Sequence, residues 1–113
     1  GDLAFLHDSN ALLQAFSREQ ALIIVVINNS GGSIFKMLPF EEQDERFNRL
    51  FETPQQVNFA SLAKAHNIDF ISVKNRGELK PAFQELSRKP GISILECVTD
   101  SADSMKIRKN IWK

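Results

Sequence analysis

Two spacings of apolar residues alternate along the chain. Phe5, Leu6, Leu12, Leu13 and Phe16 fall near one stripe of a 3.6-residue period, which predicts a helix over 5–17 that begins close to His7 and Asp8. The run ALIIVVI at 21–27 is unbroken and rich in β-branched residues. It predicts a strand buried on both faces, as in a parallel sheet covered by helices. NNSGGSIFKMLP at 28–39 is turn-prone at its start and apolar at its end, and predicts a loop. FEEQDERFNRLF at 40–51 spaces Phe40, Phe47, Leu50 and Phe51 helically, with charges between them. After the break ETPQQ, VNFASLAKAHN at 57–67 predicts a further helix with Asn58 as its cap.

The second half is more regular. DFISV at 69–73 and GISILECV at 91–98 predict strands, and GELKPAFQELSRK at 77–89 predicts the helix between them. Pro81 is tolerable in that helix only within its first turn. SADSMKIRKNIW at 101–112 predicts a capped terminal helix with Met105, Ile107 and Ile111 partly buried. The order α-β-α-α-β-α-β-α predicts an α/β fold, a parallel sheet flanked by helices with right-handed crossovers. No repeat, low-complexity segment or internal boundary interrupts it.

Composition narrows the chemistry. A chain of 113 residues with 42% hydrophobic content holds enough apolar material for one core. Fourteen basic and fourteen acidic residues cancel, so no global field draws the chain to nucleic acid or an anionic membrane. No apolar run is long enough to cross a bilayer. A single cysteine, Cys97, excludes an intrachain disulfide and makes a cysteine-rich zinc site implausible. It fits a small buried hydrophobe in its strand better than a nucleophile. The chain opens on Gly1-Asp2, with neither an initiator methionine nor a signal peptide, and the expectation is a processed chain or a fragment of something longer.

The candidate chemistry lies where two strand ends meet. Ligands of parallel α/β sheets sit beyond the carboxyl ends of strands. Asn28-Asn29 follows the strand at 21–27, and Gly1-Asp2 would follow a strand outside this chain. If the helix over 5–17 links two neighbouring parallel strands, Asp2 and Asn29 share one rim. A carboxylate, an amide oxygen and a nearby backbone carbonyl form a hard-oxygen set suited to Mg²⁺, an ion that keeps positions open for phosphate oxygens. Gly31 and Gly32 allow close backbone approach to a ligand, and the amides after Asp2 open a helix, where anions are favoured. On spacing alone the same residues also fit a chain-end carboxylate and a plain strand-terminating turn.

Gly1-Asp2-Leu3, twenty-four further residues and then Asn28-Asn29 resemble the thiamine-diphosphate signature of Gly-Asp-Gly, a similar gap and Asn-Asn. The longer strings GDLAFLHD, NNSGGSIFKMLP and FETPQQVNFASLAKAHNI resemble one branch, the MenD family of 2-succinyl-5-enolpyruvyl-6-hydroxy-3-cyclohexene-1-carboxylate synthases, over residues 1 to about 98. Leu3 departs from the general pattern but matches this branch, and Ser30 stands where many members carry a third asparagine, a change expected to matter little.

The resemblance implies residues 1–113 to be the C-terminal portion of a diphosphate-binding domain. It implies Mg²⁺ (or Mn²⁺) held by Asp2, the Asn29 side chain and the Gly31 carbonyl. Thiamine diphosphate would be held by the amides of Leu3 and Ala4 and by the glycine loop through Gly32 to Ile34. Ile34, Phe35 and Leu38 would form an apolar wall of the substrate pocket. The implied reaction is decarboxylation of 2-oxoglutarate and addition of the succinyl unit to isochorismate, in menaquinone or phylloquinone biosynthesis. The implied enzyme is cytoplasmic, or plastidic in a plant or alga. The glutamate that activates the cofactor would come from the pyrimidine-binding domain of a partner subunit in a homo-oligomer, so no catalytic residue is assigned within this chain and the isolated chain is expected to be inactive. Two alternatives stand beside this reading, another thiamine-diphosphate decarboxylase or acetohydroxy-acid synthase relative, and a non-catalytic binding or assembly module.

Remaining polar residues read as structural. His7 and Asp8 are adjacent and diverge on a helix, which favours a capping role over an acid–base pair. His66 falls near a helix end. EEQDER reads as a solvated helix face, and Lys106, Arg108, Lys109 and Lys113 as a basic, solvent-facing tail. The apolar segment 34–38 is expected to drive self-association if nothing else covers it.

Overall fold

The computed structural model describes residues 1–17, 19–37 and 45–111. Three strands, β1 (Leu22–Asn28), β2 (Asp69–Val73) and β3 (Ile92–Val98), pair in parallel in the order β1-β3-β2. β3 is central, and its residues 92–96 are buried in unbroken succession. Around the sheet lie α1 (Asp2–His7), α2 (Glu45–Phe47), α3 (Phe59–Ala65), α4 (Arg76–Leu86) and α5 (Ser101–Ile111). A 3₁₀ segment follows α1 at Ser9–Ser17, another occupies Ser33–Met37, and α2 runs on into a π turn at Asn48–Glu52. The expected α/β architecture, a parallel sheet flanked by helices, is therefore present.

Period-two alternation along the strands divides the core in two. One face carries Ile24, Val26, Ile92 and Ile94 against Leu12, Phe59, Ala63 and Ile68, with Phe5 and Leu6 of α1 packed alongside. The other carries Ile23, Ile71, Val73, Leu95 and Cys97 against Ala82 and Leu86 of α4. Local signals set several helix ends. Asn58 caps α3 by accepting from Ser61 N at 2.8 Å. Asn75 caps α4 by accepting from Glu78 N at 3.2 Å, and Glu78 reaches back to Lys74 N at 2.9 Å. Asp100 Oδ1 accepts from Asp103 N at 2.8 Å at the start of α5.

Several expectations need correction. The helix over 5–17 is two pieces, because α1 starts at Asp2 and ends at His7, with Asp8 as its cap residue. Asp8, Ser9 and Asn10 carry short polar side chains that compete with the α-helical backbone, and the chain continues in 3₁₀ form. β1 is not buried on both faces, since Leu22, Val25 and Ile27 are each more than a third exposed. Only β3 flanks it among the described residues, and α4 lies over β2 and β3 rather than over it. Pro81 sits in the second turn of α4, not the first. Its missing N–H leaves the Gly77 carbonyl without an i+4 partner, and Gly77 is exposed, where water can take that bond. Ile107 and Ile111 project into solvent at 60% and 72% exposure, and only Met105 of the expected trio is partly buried. The expected helix over 40–51 appears as α2 and the π turn, and its residues 40–44 lie outside the described residues.

Candidate functional site

The carboxyl end of β1 and the start of α1 meet at one rim of the sheet. Asp2 opens α1, and its side chain is 1% exposed. Acidic residues are stabilised at a helix start, but a buried carboxylate costs several kcal/mol unless charge or hydrogen bonds compensate it. Asp2 has no basic partner among the described residues. Its Oδ2 instead accepts from Gly31 N at 2.8 Å and from Gln55 Nε2 at 3.0 Å.

Its other oxygen faces Asn29. One end of the Asn29 amide lies 3.0 Å from Asp2 Oδ1 and 2.8 Å from the Gly31 carbonyl oxygen, and the other end meets the Ser33 hydroxyl. With nitrogen toward the two acceptors, the amide donates to both, the arrangement that protein groups alone favour. Turned over, it brings three oxygens together, Asp2 Oδ1, Asn29 Oδ1 and the Gly31 carbonyl. Only a cation makes that arrangement favourable. Ligand oxygens about 2.0–2.1 Å from Mg²⁺ in an octahedron stand roughly 2.9 Å apart along each edge. The two separations, 2.8 and 3.0 Å, suit such edges as well as they suit N–H···O bonds. One carboxylate and two neutral oxygens, with room left over, fit a hard divalent ion that retains other ligands. No cluster of three His, Cys, Asp or Glu exists among the described residues, so this mixed set is the candidate metal centre.

The loop that presents these oxygens is unusual in its backbone. Ser30 adopts φ 61° and Gly31 φ 135°. A Cβ at Gly31 would collide with the Glu52 carbonyl oxygen, and one at Gly32 would lie 2.9 Å from the Phe51 oxygen. Gly32 N also donates to Glu52 O at 2.6 Å. The two glycines therefore admit the backbone of 51–54, and both also line the cleft that opens beside the oxygens. Lys36 ties the same segment down by its 3.0 Å contact with Glu52.

A cleft of about 360 Å³ opens beside the oxygens. Leu3, Ala4, Gly32 and Ile34 line it together with Asp2, Asn29 and Gly31. The amides of Leu3 and Ala4 precede the first bond of α1, Phe5 N to Gly1 O at 3.0 Å, and have no helical acceptor of their own. Ile34 is 62% exposed at the cleft. Phe35 packs edge-on against Phe51, with ring centroids 6.0 Å apart, and does not line the cleft. Leu38 lies outside the described residues. Cys97 stands apart on β3, where burial, with the Glu96 carboxylate adding to it, pushes its thiol above the ordinary range and keeps it a poor nucleophile.

Two residues with clear places at the site were not foreseen. Arg108 of α5 borders the cleft, with Nη1 3.8 Å from Met37 Sδ. Gln55 bonds Asp2 directly. Nothing local marks either residue, because each arrives through the packing of a distant segment.

Comparison with known proteins identifies the family. Residues 1–97 match the family model described as thiamine pyrophosphate enzyme, C-terminal TPP binding domain. Three relatives are each named 2-succinyl-5-enolpyruvyl-6-hydroxy-3-cyclohexene-1-carboxylate synthase. The protein from Prochlorococcus marinus is 43% identical over 98% of this chain and 20% of its own length. That from Crocosphaera subtropica is 40% identical over 100% and 19%, and that from Lysinibacillus sphaericus 36% over 99% and 19%. The chain thus spans about a fifth of the length of the relatives it matches. With a match over residues 1–97, the chain belongs to the C-terminal TPP-binding domain family of thiamine pyrophosphate enzymes.

Proposed function

We propose that residues 1–113 form the C-terminal portion of the diphosphate-binding domain of a thiamine-diphosphate-dependent carboligase. It decarboxylates 2-oxoglutarate and adds the succinyl unit to isochorismate. The shared name of the three relatives supports the choice of reaction. The observation that carries the proposal is the buried Asp2 carboxylate without a basic partner among the described residues, 3.0 Å from the Asn29 amide, which in turn lies 2.8 Å from the Gly31 carbonyl oxygen.

In this reading Asp2, Asn29 and the Gly31 carbonyl hold Mg²⁺ or Mn²⁺. The Leu3 and Ala4 amides and the loop from Gly32 to Ile34 hold the diphosphate. Thiamine diphosphate, when bound, supplies the electron sink that decarboxylation next to a ketone requires. The chain's own residues bind and orient. Asp2, Asn29 and the Gly31 carbonyl fix the cation that offsets diphosphate charge, free amides at the start of α1 donate to its oxygens, and Ile34, which lines the cleft, gives the reacting end an apolar side that limits water. The pyrimidine-activating glutamate comes from a partner subunit in this proposal, and the isolated chain does not turn over. A non-catalytic assembly module offers no reason to bury a carboxylate that has no basic partner among the described residues beside the Asn29 amide and the Gly31 carbonyl.

Calorimetric titration with Mn²⁺, with and without thiamine diphosphate, tests the site. The expected result is metal uptake that tightens with the diphosphate and is lost in Asp2→Asn. Metal uptake indifferent to the diphosphate, or unchanged in Asp2→Asn, would overturn the assignment.

A further inference from the structure

We infer that Gln55 is a positioning residue that holds Asp2 in one-oxygen ligation and thereby selects a small octahedral cation over Ca²⁺. The inference rests on the metal site proposed above. Gln55 lies two residues beyond the left-handed Thr53, directly after the segment 51–54 that the two glycines admit. Its location is therefore fixed by backbone packing against the metal loop itself.

The direction of its amide is fixed as well. Val57 N donates to Gln55 Oε1 at 2.7 Å, so the oxygen end is committed and Nε2 points to the site. Nε2 carries two hydrogens, and both are used, one on Asp2 Oδ2 at 3.0 Å and one on Asn28 Oδ1 at 3.2 Å. The next link is fixed in the same sense. Asn28 Nδ2 donates to Glu96 Oε1 at 2.6 Å, and a carboxylate there can only accept, so Asn28 must turn its oxygen toward Gln55 and Ser30 N. Glu96 is itself 8% exposed in the central strand. A chain of bonds with one allowed polarity thus runs from the sheet core through Asn28 and Gln55 to Asp2.

The consequence falls on Asp2. Its Oδ2 receives two donors, Gly31 N and Gln55 Nε2, while Oδ1 alone faces the Asn29 amide that also meets the Gly31 carbonyl. A carboxylate held this way offers a cation one oxygen, not two. Mg²⁺ and Mn²⁺ accept such a compact octahedral set, whereas Ca²⁺ takes more ligands and favours two-oxygen carboxylates in looser geometry. Removing the Gln55 donor frees Oδ2 to swing toward the metal. Groups that orient metal ligands typically govern affinity by roughly 10- to 100-fold.

The test is Mn²⁺ affinity read by electron paramagnetic resonance on the full chain with saturating thiamine diphosphate, followed by competition with Ca²⁺. Gln55→Met keeps length and bulk but removes the donor, and Gln55→Ala, which opens the space instead of filling it, is measured alongside. Both are expected to weaken Mn²⁺ binding roughly 10-fold or more and to lower the Mn²⁺-to-Ca²⁺ affinity ratio by about as much. A merely structural residue would weaken both ions together. An unchanged ratio, whatever happens to Mn²⁺ affinity alone, overturns the inference while leaving the metal site standing. Failure of the parent protein to take up Mn²⁺ with thiamine diphosphate removes the site and the inference with it.

Discussion

Ser30 pays for the shape of the metal loop. At φ 61° it holds a left-handed conformation that costs an ordinary L-residue about 1 kcal/mol and that asparagine tolerates better. Its backbone N–H donates to Asn28 Oδ1 at 3.1 Å, and its side chain is exposed. Ser30→Asn is therefore expected to stabilise the fold by about 0.5–1 kcal/mol without touching the bonds of the turn, and a raised thermal midpoint with unchanged Mn²⁺ affinity checks this. The backbone angle at Ser30 is one that no side-chain pattern displays. Asp2 and Asn29 were legible as neighbours because strand ends in parallel sheets share a rim. Gln55 was not, since its place depends on a loop fifty residues from Asp2 packing against two glycines. The glycines themselves were visible, but what they accommodate was not, because ligand and chain both need the absence of a Cβ.

At the scale of elements, local chemistry decided which boundaries could be read. Asn58 sits immediately before α3 and caps it through its own side chain, as its sequence position announced, whereas the same role of Asn75 before α4 emerges only in the structure. The stripe from Phe5 to Phe16 did not separate α1 from the 3₁₀ segment that follows, because the two helices differ too little in period over so few turns. The cap of α4 also carries a pH signature. The Lys74 backbone N–H donating to the Glu78 carboxylate, aided by the Asn75 side chain, holds Glu78 below its ordinary value of 4.5. A depressed folded value means that the bond's contribution is complete above pH 4.5 and disappears as pH falls through the lower folded value. Glu78→Gln is thus expected to lower the thermal midpoint at pH 7, and the gap between the two proteins should close as pH drops below 4.5. Because Glu78 is exposed, added salt should narrow the same gap. Parallel melts of the two proteins at several pH values measure both effects.

The whole molecule is flat. Its extents are 50 × 29 × 19 Å and its radius of gyration is 16.0 Å, against about 13 Å for a compact chain of this length. The thin dimension reflects uneven cover, because one sheet face meets α1 and α3 whereas on the other α4 shields β2 and β3 but not β1. Val25 and Phe83 are each 47% exposed and Leu79 40%, and with buried Leu95 they line an apolar hollow of about 670 Å³ beside β1. The sequence displayed the run at 21–27 as apolar, but hydropathy reports what a strand can bury and not what is present to bury it. Exposed apolar surface of this continuity seeks a partner. At the other side of the site Ile34 and Met37 add 62% and 48% exposed apolar side chains. This chain is accordingly expected to self-associate as its concentration rises, with light scattering reporting a growing mean mass. Val25→Lys together with Phe83→Glu should reverse that growth at little cost to the fold, because substitutions at such exposed positions usually change stability by less than about 0.5 kcal/mol. Association that persists undiminished in the double variant would place the contact elsewhere, and the segment around Ile34 and Met37 would then be the surface to charge next. A parent chain that stays monomeric at high concentration would mean that the β1 face tolerates water despite its composition.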